Sequence, residues 1–248
     1  MSKWLIKGLK TGKKTTRYPD VPESAAGVSP GIAGLGSVLP TRFCPAHIEA
    51  TEGEQRDIRS CVHCFRCIRN PEEETPWQTD YEWATTAETD AEGDRRLGAA
   101  FARSAHIRVV DAGACGACLS EVKQTGKPHY NIHRLGLFIT PTPRQADVLL
   151  VTGPVSDNMV SQLKKTYEAV PAPKIVIAAG TCALTGGVFG PSFSCRAGVA
   201  DVLPVDVEIP GCPPPPLAII HGLLVALGRK SSAAFGPAEQ NIAKRRVP

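Results

Sequence analysis

The sequence of 248 residues lacks any apolar run as long as the roughly 20 residues that a bilayer-spanning helix needs. Aromatic residues are also scarce, at 6% of the chain. Neither sign of charge is in large excess, since 28 Lys and Arg nearly balance 24 Asp and Glu. These values argue against an integral membrane protein and against a basic nucleic-acid binder. The first 20 residues carry six basic side chains but no apolar core or small-residue cleavage site, so no secretory signal is expected.

Cysteine, by contrast, is abundant, and nine thiols in a chain without an export signal indicate metal binding rather than a disulfide framework. The cysteines form two sets with different surroundings. Four lie in a segment with little apolar periodicity, namely Cys44, Cys61, Cys64 and Cys67, and five lie where strand-like and helical patterns alternate, namely Cys115, Cys118, Cys182, Cys195 and Cys212. Cys195 fits neither pattern described below and is interpreted as a buried small apolar residue.

The second half of the chain has the alternating pattern of an α/β fold with a mainly parallel sheet. Strands are predicted over Ile107–Val110, Leu135–Ile139, Val148–Thr152, Lys174–Ala179 and Val202–Ile209, and helices over Ser156–Val170 and Leu217–Leu227. In such folds ligands lie beyond the carboxyl ends of the strands. Four of the cysteines follow these ends, in turns that contain Gly or Pro.

These four thiols are therefore expected to converge at one sheet edge, where they could hold a [4Fe–4S] cluster. The cysteines concerned are Cys115, Cys118, Cys182 and Cys212. A structural zinc site is the alternative. Such a site usually joins two close CxxC pairs, whereas Cys182 and Cys212 are single cysteines 30 residues apart.

The other set contains Cys61, Cys64 and Cys67 at intervals of three, with Cys44-Pro45 lying 17 residues before Cys61. This spacing is similar to half of a two-cluster bacterial ferredoxin, and it predicts a second [4Fe–4S] cluster. A [3Fe–4S] cluster, or a zinc knuckle in which His47 or His63 replaces a cysteine, remains open. A segment this small needs its metal and contacts with neighbouring subunits to fold.

Four motifs resemble one known family closely and occur in the family's order. They are Cys115-x-x-Cys118-x-x-Glu121, Pro143-Arg144-Gln145-Ala146-Asp147, Gly180-Thr181-Cys182-Ala183-Leu184-Thr185-Gly186-Gly187, and the run from Leu203 to Pro214. The family joins the small subunit of [NiFe]-hydrogenases and the terminal-cluster subunit of respiratory complex I. The resemblance implies a flavodoxin-like domain that holds the proximal [4Fe–4S] cluster on Cys115, Cys118, Cys182 and Cys212.

The resemblance further implies an electron-transfer subunit without a catalytic site of its own, bound to a large subunit that carries the NiFe centre. Two adjacent cysteines typify complex I members, whereas this chain has Cys115-Gly116-Ala117-Cys118, which places it on the hydrogenase side. The run from Leu203 to Pro216 resembles most the membrane-bound energy-converting hydrogenases and formate hydrogenlyase. The absence of a twin-Arg signal and of a C-terminal cysteine-rich domain favours a complex peripheral to the cytoplasmic face of the membrane. Further ferredoxin-like and membrane subunits are expected as partners. A complex I-like quinone oxidoreductase subunit and a non-redox zinc scaffold are the alternatives.

The expected domain organisation has five parts: an extended arm over 1–40, the half-ferredoxin segment over 41–72, an acidic linker over 73–104, the flavodoxin-like domain over 105–230 and a tail over 231–248. The start of the arm combines apolar and Lys residues, which is compatible with an amphipathic anchor on a membrane or a subunit and equally with a solvated tail. Glu121 is either a proton relay or a first-turn helix carboxylate stabilised by the helix dipole.

Overall fold

The computed structural model describes residues 3–12, 15–22, 32–33, 46, 58–66, 77–78, 80–86, 103–188 and 190–233. The helices are α1 (Lys3–Thr11), α2 (Ala117–Thr125), α3 (Asp157–Ala169), α4 (Thr181–Thr185) and α5 (Pro216–Ala226). The strands are β1 (Ile32–Ala33), β2 (Trp77–Gln78), β3 (Thr85–Thr86), β4 (Ala105–Asp111), β5 (Leu137–Ile139), β6 (Val148–Thr152), β7 (Ile175–Ala179) and β8 (Val207–Ile209).

Six strands form one sheet in the order β3-β8-β7-β6-β4-β5. All neighbouring pairs are parallel except β3 with β8. Counted from β4, the five parallel strands have the order 2-1-3-4-5, which is the flavodoxin-like doubly wound arrangement. The predicted α/β fold with a mainly parallel sheet is therefore confirmed.

The core lies on both faces of this sheet. On one face α2 and α5 pack together, and α5 is buried on every side because its sequence is almost wholly apolar. On the other face Leu163 of α3 and Ala183 of α4 pack against Leu149, Val151 and Val176. Strands covered on both faces need continuous apolar runs, which is why β6 and β7 are buried at every position.

The carboxyl ends of four strands lie side by side. Asp111 pairs with Thr152, Thr152 with Ala179, and Ala179 with Ile209, so these last residues form one row across the sheet. Adjacent strands lie about 4.8 Å apart, and the loops that leave this row consequently start at one level. The sheet register therefore brings together parts of the chain that are almost 100 residues apart.

The structure shortens two predicted strands by two residues or more and adds an edge strand. The strand predicted over Leu135–Ile139 begins only at Leu137, because Ile132–Leu135 forms a 3-10 helix. The strand predicted over Val202–Ile209 begins only at Val207, because the chain forms a 3-10 turn at Val199–Asp201 and the Asp206 carboxylate accepts the backbone N–H of Val176 at 2.7 Å. Thr85 and Thr86 lie in the stretch predicted to be an acidic linker, yet they form the antiparallel edge strand β3. Part of the predicted linker is thus built into the sheet.

The described part of the predicted N-terminal arm also contacts the sheet domain. The backbone N–H of Thr16 donates to the carbonyl of His129 at 2.8 Å, and Tyr18 is buried in the main core. This arm is therefore not solvated along its whole length. None of the helices among the described residues has the length and apolar character to cross a membrane.

Candidate metal centre

The loop after β4 is shaped by the side chain of the last residue of the strand. The Asp111 carboxylate accepts the backbone N–H groups of Gly113 at 3.0 Å and Ala114 at 2.7 Å. This turn places Cys115 at the exposed rim, and α2 then begins at Ala117. Cys118 consequently lies in the first helical turn and is buried.

The loops after β7 and β8 are hydrogen-bonded to each other. The backbone N–H of Gly180 donates to the carbonyl of Ile209 at 2.8 Å, and that of Thr181 donates to the carbonyl of Gly211 at 2.9 Å. Cys182 follows Thr181 in α4, and Cys212 follows Gly211. These two bonds extend the pairing of β7 with β8 past the strand ends and hold the two cysteine loops side by side.

Electrostatic interactions link all four thiols. Burial raises the pKa of Cys118 to about 12, and the thiols of Cys182, Cys212 and Cys115 act in the same direction. Burial and the thiols of Cys212 and Cys115 raise the pKa of Cys182 to about 11, and burial with Cys115 raises the pKa of Cys212. Four thiolates this close repel one another, so their ionised form needs bound cations.

The glycines next to two of the sulfur atoms leave room for a bound group. A Cβ atom on Gly180 would lie 2.6 Å from Sγ of Cys118, and a Cβ on Gly187 would lie 2.6 Å from Sγ of Cys182. Both glycines have positive φ angles, +98° and +66°, which other residues rarely adopt. Among the described residues, no three His, Cys, Asp or Glu side chains are grouped to hold one metal ion. The fit to an iron–sulfur cluster rests on four thiol donors and uncrowded sulfurs.

The structure describes only half of the second predicted cysteine set. Cys61 is buried and Cys64 is half-buried, whereas Cys44, Cys67 and also His47 lie outside the described residues. His63 and Phe65 have positive φ angles of 52° and 59°, so the chain turns sharply around Cys64. Such a turn is typical of a loop that wraps a metal group.

His63, the alternative ligand in this segment, is held inside the protein. Burial lowers the pKa of His63 to about 4, and its Nε2 atom is buried with no hydrogen-bond partner among the residues that the structure describes. Its ring packs edge-to-face against Trp83, with centroids 5.9 Å apart at an angle of 79°. His63 is therefore a neutral imidazole beside Cys64.

Three residues to which the sequence analysis assigned no role connect the two cysteine sets. The hydroxyl of Thr181 donates to the carbonyl of Cys61 at 2.9 Å, the hydroxyl of Ser60 donates to that of Thr185 at 3.3 Å, and the indole N–H of Trp83 donates to the carbonyl of Pro210 at 2.9 Å. Long-range side-chain contacts leave no periodic pattern in the sequence. Thr181 could have been noticed, since it lies inside a quoted motif.

Two further sequence expectations differ from the structure. Cys195 is half-buried rather than buried, in a turn where its carbonyl accepts the backbone N–H of Ser192 at 3.0 Å. Glu121 lies in the second turn of α2 rather than the first, so the helix-dipole interpretation is wrong. Partial burial raises the pKa of Glu121. A proton-relay role for this carboxyl remains a prediction.

Comparison with known proteins gives the following relatives. A family model described as NADH ubiquinone oxidoreductase, 20 Kd subunit, matches residues 115–226. The probable membrane-bound hydrogenase subunit mbhJ of Pyrococcus furiosus is 44% identical over 134 residues, which cover 54% of this chain and 80% of that protein. Formate hydrogenlyase subunit 7 of Escherichia coli is 40% identical over 139 residues, covering 55% of this chain and 54% of that protein.

A chain in the structure of the membrane-bound sulfane sulfur reductase, an archaeal respiratory membrane complex, is 30% identical over 54% of this chain and 76% of that chain, with a TM-score of 0.46. The match to the family model falls on the sheet domain and includes the four cysteines at its edge. The family-model match and the 44% identical hydrogenase subunit show that the chain belongs to the family of the 20 kDa subunit of NADH ubiquinone oxidoreductase, which joins complex I and [NiFe]-hydrogenase subunits.

Proposed function

We propose that this chain is the electron-transfer subunit of a membrane-associated [NiFe]-hydrogenase complex, in which it relays electrons to or from the large subunit. One observation carries the proposal: four cysteines from the three loops after β4, β7 and β8 interact at the row of strand ends, beside glycines that leave two of their sulfurs uncrowded. The residues that would hold a [4Fe–4S] cluster are Cys115, Cys118, Cys182 and Cys212.

When bound, such a cluster accepts and releases one electron at a time. The contribution of the protein is to hold the four sulfurs, exclude water and set the local polarity, which together tune the reduction potential. Cys118 is buried, whereas Cys115 lies at the exposed rim of the same site. The rim at Cys115 is therefore the face that we assign to the large subunit, where proton reduction or H₂ oxidation takes place.

A second [4Fe–4S] cluster on Cys44, Cys61, Cys64 and Cys67 would continue the relay away from the large subunit. The described half of this set supports the assignment, because Cys61 and Cys64 lie on a sharply turned loop packed against the sheet domain. Ferredoxin-like iron–sulfur subunits and membrane subunits of the complex are the proposed partners on this side. Nucleic acid is not among the expected partners, since the chain has a net charge of only +4.

Helix α1 supports a peripheral position on the cytoplasmic side of the membrane. Leu5, Ile6 and Leu9 are exposed, and Leu9 retains 76% of its accessible surface. The helix contains Lys3, Lys7 and Lys10 but no acidic residue. A short basic helix with exposed apolar side chains is suited to anionic lipid headgroups, with the apolar side chains entering the acyl boundary.

The proposal is tested by counting metals in the full chain and its complex after purification without oxygen. About eight irons and eight sulfides per chain, with EPR signals from two reduced clusters, are expected for two four-iron clusters. Nickel in the copurifying large subunit supports the hydrogenase assignment. A complex without nickel that reduces quinone would replace this assignment with a complex I-like role, and stoichiometric zinc in place of iron would indicate a structural scaffold.

A further inference from the structure

The segment Ile58–Arg66, which carries Cys61 and Cys64, packs along the same sheet edge that carries the other cysteine set. Ile58 and Cys61 are buried in the main core, together with residues of the sheet. The segment begins with Arg59 paired to Glu208 of β8 at 3.6 Å and continues with Ser60 bonded to Thr185 of α4. Every residue from 58 to 61 therefore contacts the sheet domain.

Thr181 is the central contact between the two cysteine sets. Its side-chain hydroxyl donates a 2.9 Å hydrogen bond to the backbone carbonyl of Cys61, and this bond is buried. Its backbone N–H donates to the carbonyl of Gly211, the residue before Cys212, at 2.9 Å. Thr181 also precedes Cys182 directly. A single residue therefore bonds to Cys61, adjoins Cys182 and bonds to the residue before Cys212. With 1% of its surface exposed, it cannot exchange these partners for water.

Trp83 forms a second contact between the same two regions. Its indole packs against the ring of His63, and its N–H donates to the carbonyl of Pro210 at 2.9 Å. His63 precedes Cys64, and Pro210 lies two residues before Cys212. Trp83 is fully buried, so this contact between the two cysteine loops is closed to solvent.

We propose that Thr181 is the positioning residue that fixes the Cys61 loop against the sheet-edge cysteines, so that the two clusters occupy one dry unit at a fixed short separation. The proposal rests on the proposed function, since it assumes that both cysteine sets hold a cluster. Its physical reason is that the buried carbonyl of Cys61 has a strong requirement for a donor. Removing the donor of Thr181 releases the loop on the side that faces the other cluster.

The test is EPR of the full chain reduced under anaerobic conditions, because two paramagnetic clusters at short separation split or broaden each other's signals. Thr181→Val removes the hydroxyl while keeping the shape, and Thr181→Ser restores a hydroxyl. The matched control is Thr125→Val: Thr125 is equally buried, but its hydroxyl donates to Val122 within α2, away from the Cys61 loop.

We expect split signals in the wild type, Thr181→Ser and Thr125→Val. In Thr181→Val we expect loss of the splitting with both clusters retained, or selective loss of the four irons of the Cys61 loop. Unchanged splitting in Thr181→Val overturns the inference while leaving the two clusters intact. Eight irons without splitting in the wild type overturn it as well, even if Thr181→Val fails to fold. Four irons or fewer in the wild type overturn the proposed second cluster itself.

Discussion

The two cysteine sets are built by different means. At the sheet edge, Cys115, Cys118, Cys182 and Cys212 are placed by strands whose last residues share one register, so the fold itself determines where the thiols meet. In the N-terminal set, the spacing of the cysteines is local, and the described loop is held by contacts to its neighbour. We therefore expect the first region to fold without metal, and the second to depend both on its proposed metal and on contacts with the first region.

Crowding the sheet-edge sulfurs gives the largest expected effect. Gly180→Ala would place a methyl group 2.6 Å from Sγ of Cys118 and would force an alanine to adopt a φ of +98°. We expect loss of about four irons per chain, with the other four retained. Iron analysis of the purified chain is the measurement. The matched control is Gly126→Ala, where the new Cβ would lie at an ordinary 3.7 Å from the nearest atom.

Retention of all irons in Gly180→Ala would show that the sheet-edge set does not hold a cluster next to Gly180 and Cys118. Loss of all eight would show that the Cys61 loop needs the cluster of the sheet-edge set, and not only the fold of the sheet domain.

The second largest effect is expected when the metal is removed, because the two regions should respond differently to chelation. Anaerobic chelation is expected to leave the circular dichroism of the sheet domain intact, because its core consists of buried apolar side chains on both faces of the sheet. The Cys61 loop should become labile, and cleavage by trypsin after Arg59 and Arg66 should accelerate several-fold. Equal trypsin sensitivity with and without iron would contradict the proposed dependence of this loop on metal.

The next prediction concerns helix α1 and its proposed contact with the membrane surface. Leu9 is 76% exposed, so Leu9→Glu should leave the fold intact while opposing insertion among acyl chains. We expect binding of the full chain to vesicles containing phosphatidylserine to weaken roughly tenfold. Cosedimentation with the vesicles measures this. Val21→Glu is the control, since Val21 is an exposed apolar residue outside the helix.

If the wild type does not bind these vesicles at all, α1 contacts a subunit rather than lipid. Its mutation would then weaken complex assembly instead.

The smallest effect concerns His221 of α5, which bonds to Ala84, the residue after Trp83. Burial lowers the pKa of His221, whose Nδ1 accepts the backbone N–H of Ala84 at 3.2 Å. Glu82 and Asp80 oppose this shift, and Lys230 supports it. Because the folded chain binds this proton less readily than the unfolded chain, stability should be full above the ordinary histidine value of 6.5 and should decrease as the pH falls below it.

Urea midpoints measured at neutral pH and at about pH 5.5, below the ordinary histidine pKa, would give this decrease in stability. His221→Gln should reduce the decrease, and the exposed His129 provides the control substitution His129→Gln. A decrease that is equally large in His221→Gln would assign it to other groups.

Local patterns predicted the sheet well. The strand predicted over Val148–Thr152 has those bounds in the structure, because a continuous apolar run bounded by turn residues is what a central parallel strand needs. The helix predicted from Ser156 begins at Asp157 with Ser156 as its N-cap residue. The convergence of three cysteine-bearing loops at one sheet edge followed from topology, since each loop leaves the carboxyl end of a parallel strand.

The contacts between the two regions could not be predicted in this way. Trp83 lies in an acidic stretch that resembles a solvated linker, yet its side chain is fully buried. Its indole N–H donates to the carbonyl of Pro210, a residue far away in the sequence. The bond from Thr181 to Cys61 joins residues 120 positions apart. Such contacts depend on shape after folding, and neither periodicity nor motif spacing encodes them.

Iron content of three cysteine variants of the full chain tests the central claim of two separate clusters most directly. Cys118→Ala and Cys64→Ala should each retain about four irons and lose a different EPR signal, and Cys195→Ala, the control outside both sets, should retain about eight. Loss of iron in Cys195→Ala, or loss of the same signal in Cys118→Ala and Cys64→Ala, would contradict the division of the cysteines into two sets.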